Sequence, residues 1–566
     1  MPENTSRHCR ERKIRFSRVL KGLLASLLLA QGSCHLISKT IATGGEEKLN
    51  KSAPPPTSSG PHIIIFALDG AVPAKLMDAI DSGRAPNIAA VLGRYEGAGV
   101  FAHAYAAPHA LSMLPSSTIA DWSSVFTGAP PAYNGVTGDE WFDRTTMTFY
   151  APVPVSTPDL ADVSQTVSDD LIGKALKVPT LYEQLRARSY VAMQQVHRGA
   201  TLYTTVSPGS FTDLISHLIK GKLSGEDAEK SLSAAIDRDS AKKLIQAIEE
   251  HGIPDLQVVY QPGIDIFTHA ARDPLDSQEG YLANVTDGVV GSVMDEYRKK
   301  GVLDRTYVIF IADHSHIPTI NDAAHRLGTD DEHSPFATVA AAGFRVRQAS
   351  TVATTDYQAV LAYQGFMAYV YLANRSACPS RGQRCNWLQP PRFKQDVLPV
   401  LRAFYRSNRS GRPEPKLKGT LDLIFARRPV SPGHRAAPYE IFDGHDLISI
   451  NDYLMDNPRP DLPDLAQRMK WLSAGPYGGQ AGDILLLPKA CMNVPIEARY
   501  FFADIEHYSW HGSACEQDGH IPFILAQVGG SGVEMRSILR KFGGTSLSEM
   551  ELTPLVRDLF ESAKRD

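Results

Sequence analysis

No stretch of this 566-residue chain is apolar for long enough to cross a bilayer. The most hydrophobic segment near the N-terminus, Leu23–Ala30, falls well short of the ~20 residues a spanning helix needs. Positive charge is not in excess either. There are 58 Lys and Arg against 62 Asp and Glu, a formal net charge of -4, which gives no basic field for nucleic acid or for an acidic membrane surface. No internal repeat is evident. Cysteine is scarce at six residues. What remains, 43% hydrophobic and 21% charged, is the composition of an ordinary globular protein with a sizeable core. The length accommodates two or three average domains, or one large α/β domain with insertions.

The N-terminus reads as a leader. Arg7, Arg10, Arg12, Lys13, Arg15, Arg18 and Lys21 form a cationic region ahead of the short apolar Leu23–Ala30, the pattern of a secretory signal peptide over residues 1–34. Cleavage falls after a small residue between Ala30 and Ser33, or else Cys34 is the lipidated cysteine of a bacterial-type lipoprotein, for which Gln31 is a poor fit. Residues 35–60, with Pro54-Pro55-Pro56-Thr57-Ser58-Ser59, lack core-forming side chains and read as a flexible linker. The chain is therefore expected to be exported. Cysteine use agrees: beyond the leader there are Cys378, Cys385, Cys491 and Cys515, an even number that makes two disulfides in an oxidising compartment, the alternative being four buried thiols. A Cys491–Cys515 bond would help fix the segment that holds His511.

From residue 61 onward, apolar runs of strand length alternate with helical patterns. His62–Leu68, Leu256–Tyr260 and Tyr307–Ala312 read as strands. Ala74–Asp81, Pro86–Leu92, Asp121–Thr127, much of Phe211–Gly252, and Val285–Lys300 read as helices. This alternation predicts an α/β fold with a mostly parallel central sheet and helices on both faces, in one catalytic domain over 61–560. About two hundred residues separate Asp313 from His511 without an obvious ligand motif and predict an inserted α+β, cap-like subdomain at about 335–480, with a strand at Phe366–Leu372, a helix near Gln395–Ser407 and a strand at Gly482–Leu487.

Each apolar run ends in a carboxylate or an imidazole. Asp69 closes the first, Asp265 and His269 follow the second, Asp313 and His314 close the third, and His511 lies near the C-terminus. Ligands bind outside the carboxyl ends of strands in such sheets, and these six oxygen and nitrogen donors suffice for two divalent ions. Plainer readings exist for each. Asp69 serves equally as a strand-end cap, Asp265 and His269 as a helix-surface pair, and Asp313-His314 as a solvated turn. His316 rivals His314 as a ligand, while His325 and His333 read as surface residues held in reserve. A nucleophile is sought in Leu114-Pro115-Ser116-Ser117-Thr118-Ile119-Ala120-Asp121, where a Pro/Ser turn runs into a helix. A hydroxyl at a helix N-terminus sits where free N–H groups attract phosphate and where a metal lowers its pKa. The plainer reading makes Thr118 an N-cap, with Asp121 close to completing a capping box.

Taken together, Asp69-Gly70, Thr118 ahead of Thr127-Gly128, Asp265-x-x-x-His269, Asp313-His314 and His511-Gly512 resemble the alkaline phosphatase superfamily, in particular its type I phosphodiesterase/nucleotide pyrophosphatase branch, over most of residues 61–530. Ala129–Val136 resembles the turn after the nucleophile helix there, with Asn134 where His is common. The resemblance implies an alkaline phosphatase-like fold and two divalent metal ions, zinc in the first instance, although manganese and iron accept the same ligands. Asp265, His269 and His511 would hold one, and Asp69, Asp313, His314 and Thr118 the other. Thr118 would attack a phosphate ester in line and form a phosphothreonine that water hydrolyses. The implied partner is a small phosphate-ester substrate; oligomeric state is left open. Asp121 is expected near the phosphate at a place where the branch carries Asn, and a carboxylate there disfavours a phosphomonoester dianion. Trp122, often His in the branch, would offer an aromatic face near the substrate. Thr118-Ile119-Ala120-Asp121-Trp122 lacks the x-Pro-x-Arg of sulfatases. The rival readings are a phosphomonoesterase on the same scaffold and an inactive exported binding protein.

Overall fold

Ile63-Ile64-Ile65-Phe66 is poor material for a helix, because β-branched side chains lose rotamer freedom there and pack well on a pleated surface. It forms the strand His62–Leu68, buried along its whole length. A strand covered on both faces belongs in the middle of a parallel sheet, and that is its place. The computed structural model describes residues 48–49, 60–156, 171–204, 226–328, 335–347, 355–430, 436–543 except 504 and 506, and 546–562. The leader, the lipid-anchor candidate Cys34, nearly all of the 35–60 linker, residues 211–225 of the expected helical stretch, and His333 lie outside the described residues.

His62–Leu68 is flanked by Leu256–Gln261 and Thr306–Ile311, both parallel to it, with Leu256 opposite Ile63 and Thr306 opposite His62. Ser189–Ala192 and Leu202–Thr204 continue the parallel set on one side. Beyond Thr306–Ile311 the direction reverses: Phe523–Gln527 and Ala104–Ala106 pair antiparallel, and Val100–Phe101 and Tyr95–Gly97 complete a sheet of ten strands. The α/β sheet with a parallel centre is as the sequence predicts, and the reversal toward one edge is a feature the apolar runs do not announce. Within the expected linker, Lys48–Leu49 pairs antiparallel with Leu202–Tyr203; an edge strand has unpaired backbone groups to offer. Helices Glu226–His251 and Asp287–Lys299 pack against each other and the former against the parallel strands, while Gly532–Gly543 packs on the antiparallel end. No described helix is long and apolar enough to cross a membrane.

The matched register matters for function. Gln261 stands opposite Leu68 and Ile311 opposite Ala67, so the three strands end level and deliver the residues just beyond them to one edge. A second, six-stranded antiparallel sheet has its own core and runs in the order Ala359–Tyr363, Ala368–Leu372, Ile484–Pro488, Leu421–Ala426, Glu440–Phe442, Leu447–Ile448. The bonds Cys378–Cys385 and Cys491–Cys515 are both formed, the second closing a separation of 24 residues around His511.

Candidate active site

The helix expected at Asp121–Thr127 begins earlier, at Thr118, and ends at Val125. Ser117, extended at φ -140° and ψ 145°, takes the N-cap position without a side-chain cap bond. The free N–H of Ile119 goes instead to Asp139 Oδ1 at 2.9 Å. Thr118 is therefore the first residue of the helix and not its cap. Its Oγ1 lies 3.2 Å from His314 Nε2. The capping-box reading does not hold.

Asp69, Asp265, His269, Asp313, His314 and His511 meet at the level strand ends. Asp69 is the residue after its strand; Asp313 and His314 come after theirs, just past Ala312. Asp265 and His269 share one face of the helix Gly263–Ala270, as residues four apart do, with His269 Nε2 3.2 Å from Asp265 Oδ1. His511 comes in from the far end of the chain because Ser509–Trp510 pairs with Ile317–Pro318. The turn beneath it is tight: Gly512 has φ +93°, and a Cβ there would sit 1.7 Å from Gln364 O. Gln364 lies in the hairpin connection of the second sheet, which also receives Asp139 N–H on Oε1 at 2.7 Å and donates Phe366 N–H to His511 O at 3.0 Å. The second sheet thus braces the site from one side.

Three groups of side chains have ligand atoms close enough together to share an ion: Asp69, Asp313 and His314; Asp265, His269 and His316; and Asp265, His314 and His511. The hydrogen bonds fix the histidine tautomers. Nδ1 of His269 faces Ser509 O at 2.7 Å, that of His314 faces Ser315 O at 3.2 Å and that of His511 faces Ser116 O at 3.1 Å. A carbonyl can only accept, so each Nδ1 carries a proton, and in the neutral ring each Nε2 then presents a lone pair. Those lone pairs converge on carboxylates: His511 Nε2 is 3.7 Å from Asp265 Oδ1, and His314 Nε2 is 3.5 Å from both Asp69 Oδ1 and Asp313 Oδ2. Asp69 Oδ1, Asp265 Oδ1 and Asp313 Oδ2 are buried without a hydrogen-bond partner. Acceptors facing acceptors in a buried pocket is what a cation resolves, so this donor set fits divalent metal.

The protonation equilibria carry the same message. Burial pushes Asp69 well up, and the charges of Asp313 and Asp265 add to it. Burial likewise raises Asp313 to about 8 and lowers His314 to about 3. Burial would also raise Asp265, but His269 and His316 overcome it and hold Asp265 well below the usual carboxylate range. Tyr260 Oη donates to Asp69 Oδ2 and orients it.

Asp121, three places into the helix, has its buried carboxyl on Glu549, within reach of the charges of Asp313 in this centre and of Arg468; the carboxylate that meets the helix start is Asp139. Burial raises Asp139 to about 7, with Asp265 and His269 close enough for their charges to act on it. Trp122 presents no face to a substrate: it is buried against Phe126 and Tyr260, with both ring centroids at 5.7 Å. His325 binds Asp322 Oδ1 and Glu497 O near the surface. Three participants were not legible as such: Asp139, the ring of His507 stacked on His269 at 4.4 Å, and Ser509. For Asp139 a signal existed, two adjacent acids inside Val136-Thr137-Gly138-Asp139-Glu140-Trp141-Phe142, a segment otherwise apolar enough to be buried.

The strand edge carries side chains that could hold a metal ion, and a family match makes the chain a phosphoric ester hydrolase. Residues 63–374, more than half of the chain, match the type I phosphodiesterase / nucleotide pyrophosphatase family, and the chain belongs to that family. No curated protein sequence matches it. Among solved structures, murine ectonucleotide pyrophosphatase / phosphodiesterase 5 is similar at 10% identity and a TM-score of 0.47, covering 88% of this chain and 95% of its own; an inactive variant of it in complex with AMP gives the same figures. Phosphonoacetate hydrolase from Sinorhizobium meliloti 1021, in complex with phosphonoformate, is similar at 16% identity and a TM-score of 0.46, covering 90% and 98%.

Proposed function

We propose that this protein is an exported phosphodiesterase/nucleotide pyrophosphatase-type hydrolase that works with two divalent metal ions, zinc in the first instance, through a phosphothreonine at Thr118. The observation that carries the reading is the convergence of proton-free Nε2 atoms and unpartnered carboxylate oxygens beside a hydroxyl at a helix start. Asp69, Asp313, His314 and Thr118 would hold one ion, and Asp265, His269 and His511 the other. Bound there, the pair supplies activation of a hydroxyl and neutralisation of charge on the phosphoryl and leaving oxygens.

The chain's own residues do the rest. Tyr260 fixes the Asp69 carboxylate, and the carbonyls of Ser509, Ser315 and Ser116 hold the three imidazoles in the ligating tautomer. Thr118 Oγ1 attacks phosphorus, the P–O bond to the alcohol or nucleotide breaks, and the alkoxide leaving group takes up a proton. Water then hydrolyses the phosphothreonine and restores the Thr118 hydroxyl. Asp139 occupies the N–H of Ile119 at the helix start, so a phosphoryl oxygen bound there must share or displace that contact, which favours the less charged diester over a monoester dianion. We assign the 335–480 region to substrate selection, supported by the bracing of Asp139 and His511 by Gln364–Phe366. The leader at 1–34 and the two disulfides support export.

The test compares p-nitrophenyl phosphate with bis(p-nitrophenyl) phosphate and a nitrophenyl nucleotide ester, using wild type and Thr118→Ala. Preference for the diesters and loss of turnover in Thr118→Ala with metal content retained are expected. A strong monoester preference would make the protein a phosphomonoesterase, and full activity of Thr118→Ala would remove the nucleophile.

A further inference from the structure

The segment Asp313-His314-Ser315-His316 runs out of the central strand toward the ribbon in which Ile317 stands opposite Trp510. In an extended segment, residues two apart face the same way and the one between faces away. Ser315 does face away: its Oγ donates to His520 O at 2.6 Å. His314 and His316 both turn to the site, with ring centroids 5.8 Å apart and planes at 74°. His314 is already committed to Asp69 and Asp313. His316 goes elsewhere.

Its Nε2 lies 3.1 Å from Asp265 Oδ1, as close as His269 Nε2 at 3.2 Å and closer than His511 Nε2 at 3.7 Å. The tautomer is set from the other side of the ring. Nδ1 is 3.1 Å from Ser509 Oγ, and Ser509 spends its only hydroxyl proton on Thr268 O at 3.0 Å. Ser509 Oγ is thus the acceptor, Nδ1 is the donor, and Nε2 of His316 is a lone pair pointing at a carboxylate oxygen. Neither Nε2 nor Asp265 Oδ1 has a well-formed hydrogen bond, and the ring is only 1% exposed. The backbone opposite makes room for it: Gly70 has φ +67°, and a Cβ there would stand 2.6 Å from His316 Nε2 and 3.1 Å from Asp265 Cβ. Any other residue after Asp69 would push into the position that His316 holds.

We propose that His316 is a protein ligand of the metal at Asp265 and His269, the two residues its Nε2 is grouped with, while His511 is grouped with Asp265 and His314; with His511 turned to the same ion, that ion has three imidazole nitrogens and one carboxylate oxygen. The proposal rests on the two-metal reading and deepens it. The alternative role, support of the Asp265 carboxylate by a hydrogen bond from a neutral ring, requires the proton on Nε2 and leaves Nδ1 and Ser509 Oγ as two acceptors in contact. Three protein ligands leave a tetrahedral ion one open position, and four fill it. With His316 the ion at Asp265 would have four protein ligands, as many as the ion at Asp69, Asp313, His314 and Thr118, and no tetrahedral position would be left open on it.

The decisive experiment is anomalous diffraction at the zinc edge on the full-length zinc-loaded protein, with a chelator titration of wild type, His316→Ala and His316→Gln alongside. We expect zinc about 2.0–2.1 Å from His316 Nε2 and, in both variants, at least about a tenfold loss of affinity for one of two ions, with the ion at Asp69, Asp313 and His314 unaffected. Zinc on Asp265, His269 and His511 with His316 Nε2 more than ~3 Å away overturns this proposal and leaves the two-metal reading standing. Zinc at neither position overturns both. Because the diffraction arm uses the wild-type chain, a variant that fails to fold does not remove the test.

Discussion

Arg468 is the buried charge on which the site's two loops depend, and its replacement by Met is the sharpest stability prediction. The side chain is fully buried. Its Nε donates to Ser112 O at 3.1 Å, Nη1 to Ala514 O at 3.1 Å, and Nη2 to Met113 O at 3.2 Å and Ser116 Oγ at 3.1 Å. The guanidinium is thus a strut between the segment two residues before Thr118 and the segment three residues after His511. Asp518, Asp121 and Glu549 lie close enough for their charges to act on it. Arg468→Met keeps most of the apolar stem but leaves three carbonyls short of a donor, each costing about 1–3 kcal/mol when buried. These terms overlap, so the expected loss is about 4–5 kcal/mol, read as a fall in the urea midpoint at constant slope. Turnover should drop about a hundredfold, the consequence of a ~1 Å shift in reacting groups. Arg468→Lys should restore charge balance without the planar fork and fall between the two. An Arg468→Met protein within ~1 kcal/mol of wild type and with unchanged turnover would refute this role.

Other outcomes are as specific. Asp237 accepts from Gly263 N–H at 2.9 Å and Tyr281 Oη at 2.8 Å, and burial raises it to about 7. A raised folded pKa means its stabilising contribution is full below the unfolded value of 3.8 and is lost as pH rises through about 7, at up to ~1.4 kcal/mol per pH unit. Asp237→Asn should flatten that slope in pH-dependent urea unfolding; an unchanged slope would place the titration elsewhere. Gly70→Ala combines left-handed strain of about 1–2 kcal/mol with the collision at His316, and should lower thermal stability and metal content together. Should stability fall without metal loss, His316 has room to spare. Removing Cys491–Cys515 by paired serine substitution frees a loop of 24-residue separation, worth about 3 kcal/mol, and denaturant titration should find the double variant less stable than the oxidised wild type by that amount.

How far the residues spoke for themselves can be judged element by element. Ile63-Ile64-Ile65-Phe66, Val258-Val259 and Val308-Ile309-Phe310-Ile311 are continuous apolar runs, and such runs go to the middle of a parallel sheet; the acids at their ends then gather as a consequence. Each is a local signal. The start of the helix at Thr118 was missed because the N–H of Ile119 is satisfied by Asp139, twenty positions on, and no local cap rule sees that distance. His316 was legible only as a competitor of His314. Its real place depends on the pairing of Ile317 with Trp510, which no pattern around His316 records. The partner of Asp121 was hidden for a related reason: the C-terminal segment carrying Glu549 folds back onto the helix and meets that carboxyl.

The most direct measurement of the central claim is metal stoichiometry tracked together with hydrolysis on the full chain during chelation. About two zinc ions per chain, lost in step with diesterase activity and restored with it on readdition, is the result this account predicts. Full diesterase activity in protein stripped of divalent metal, or a single ion at full activity, would contradict it.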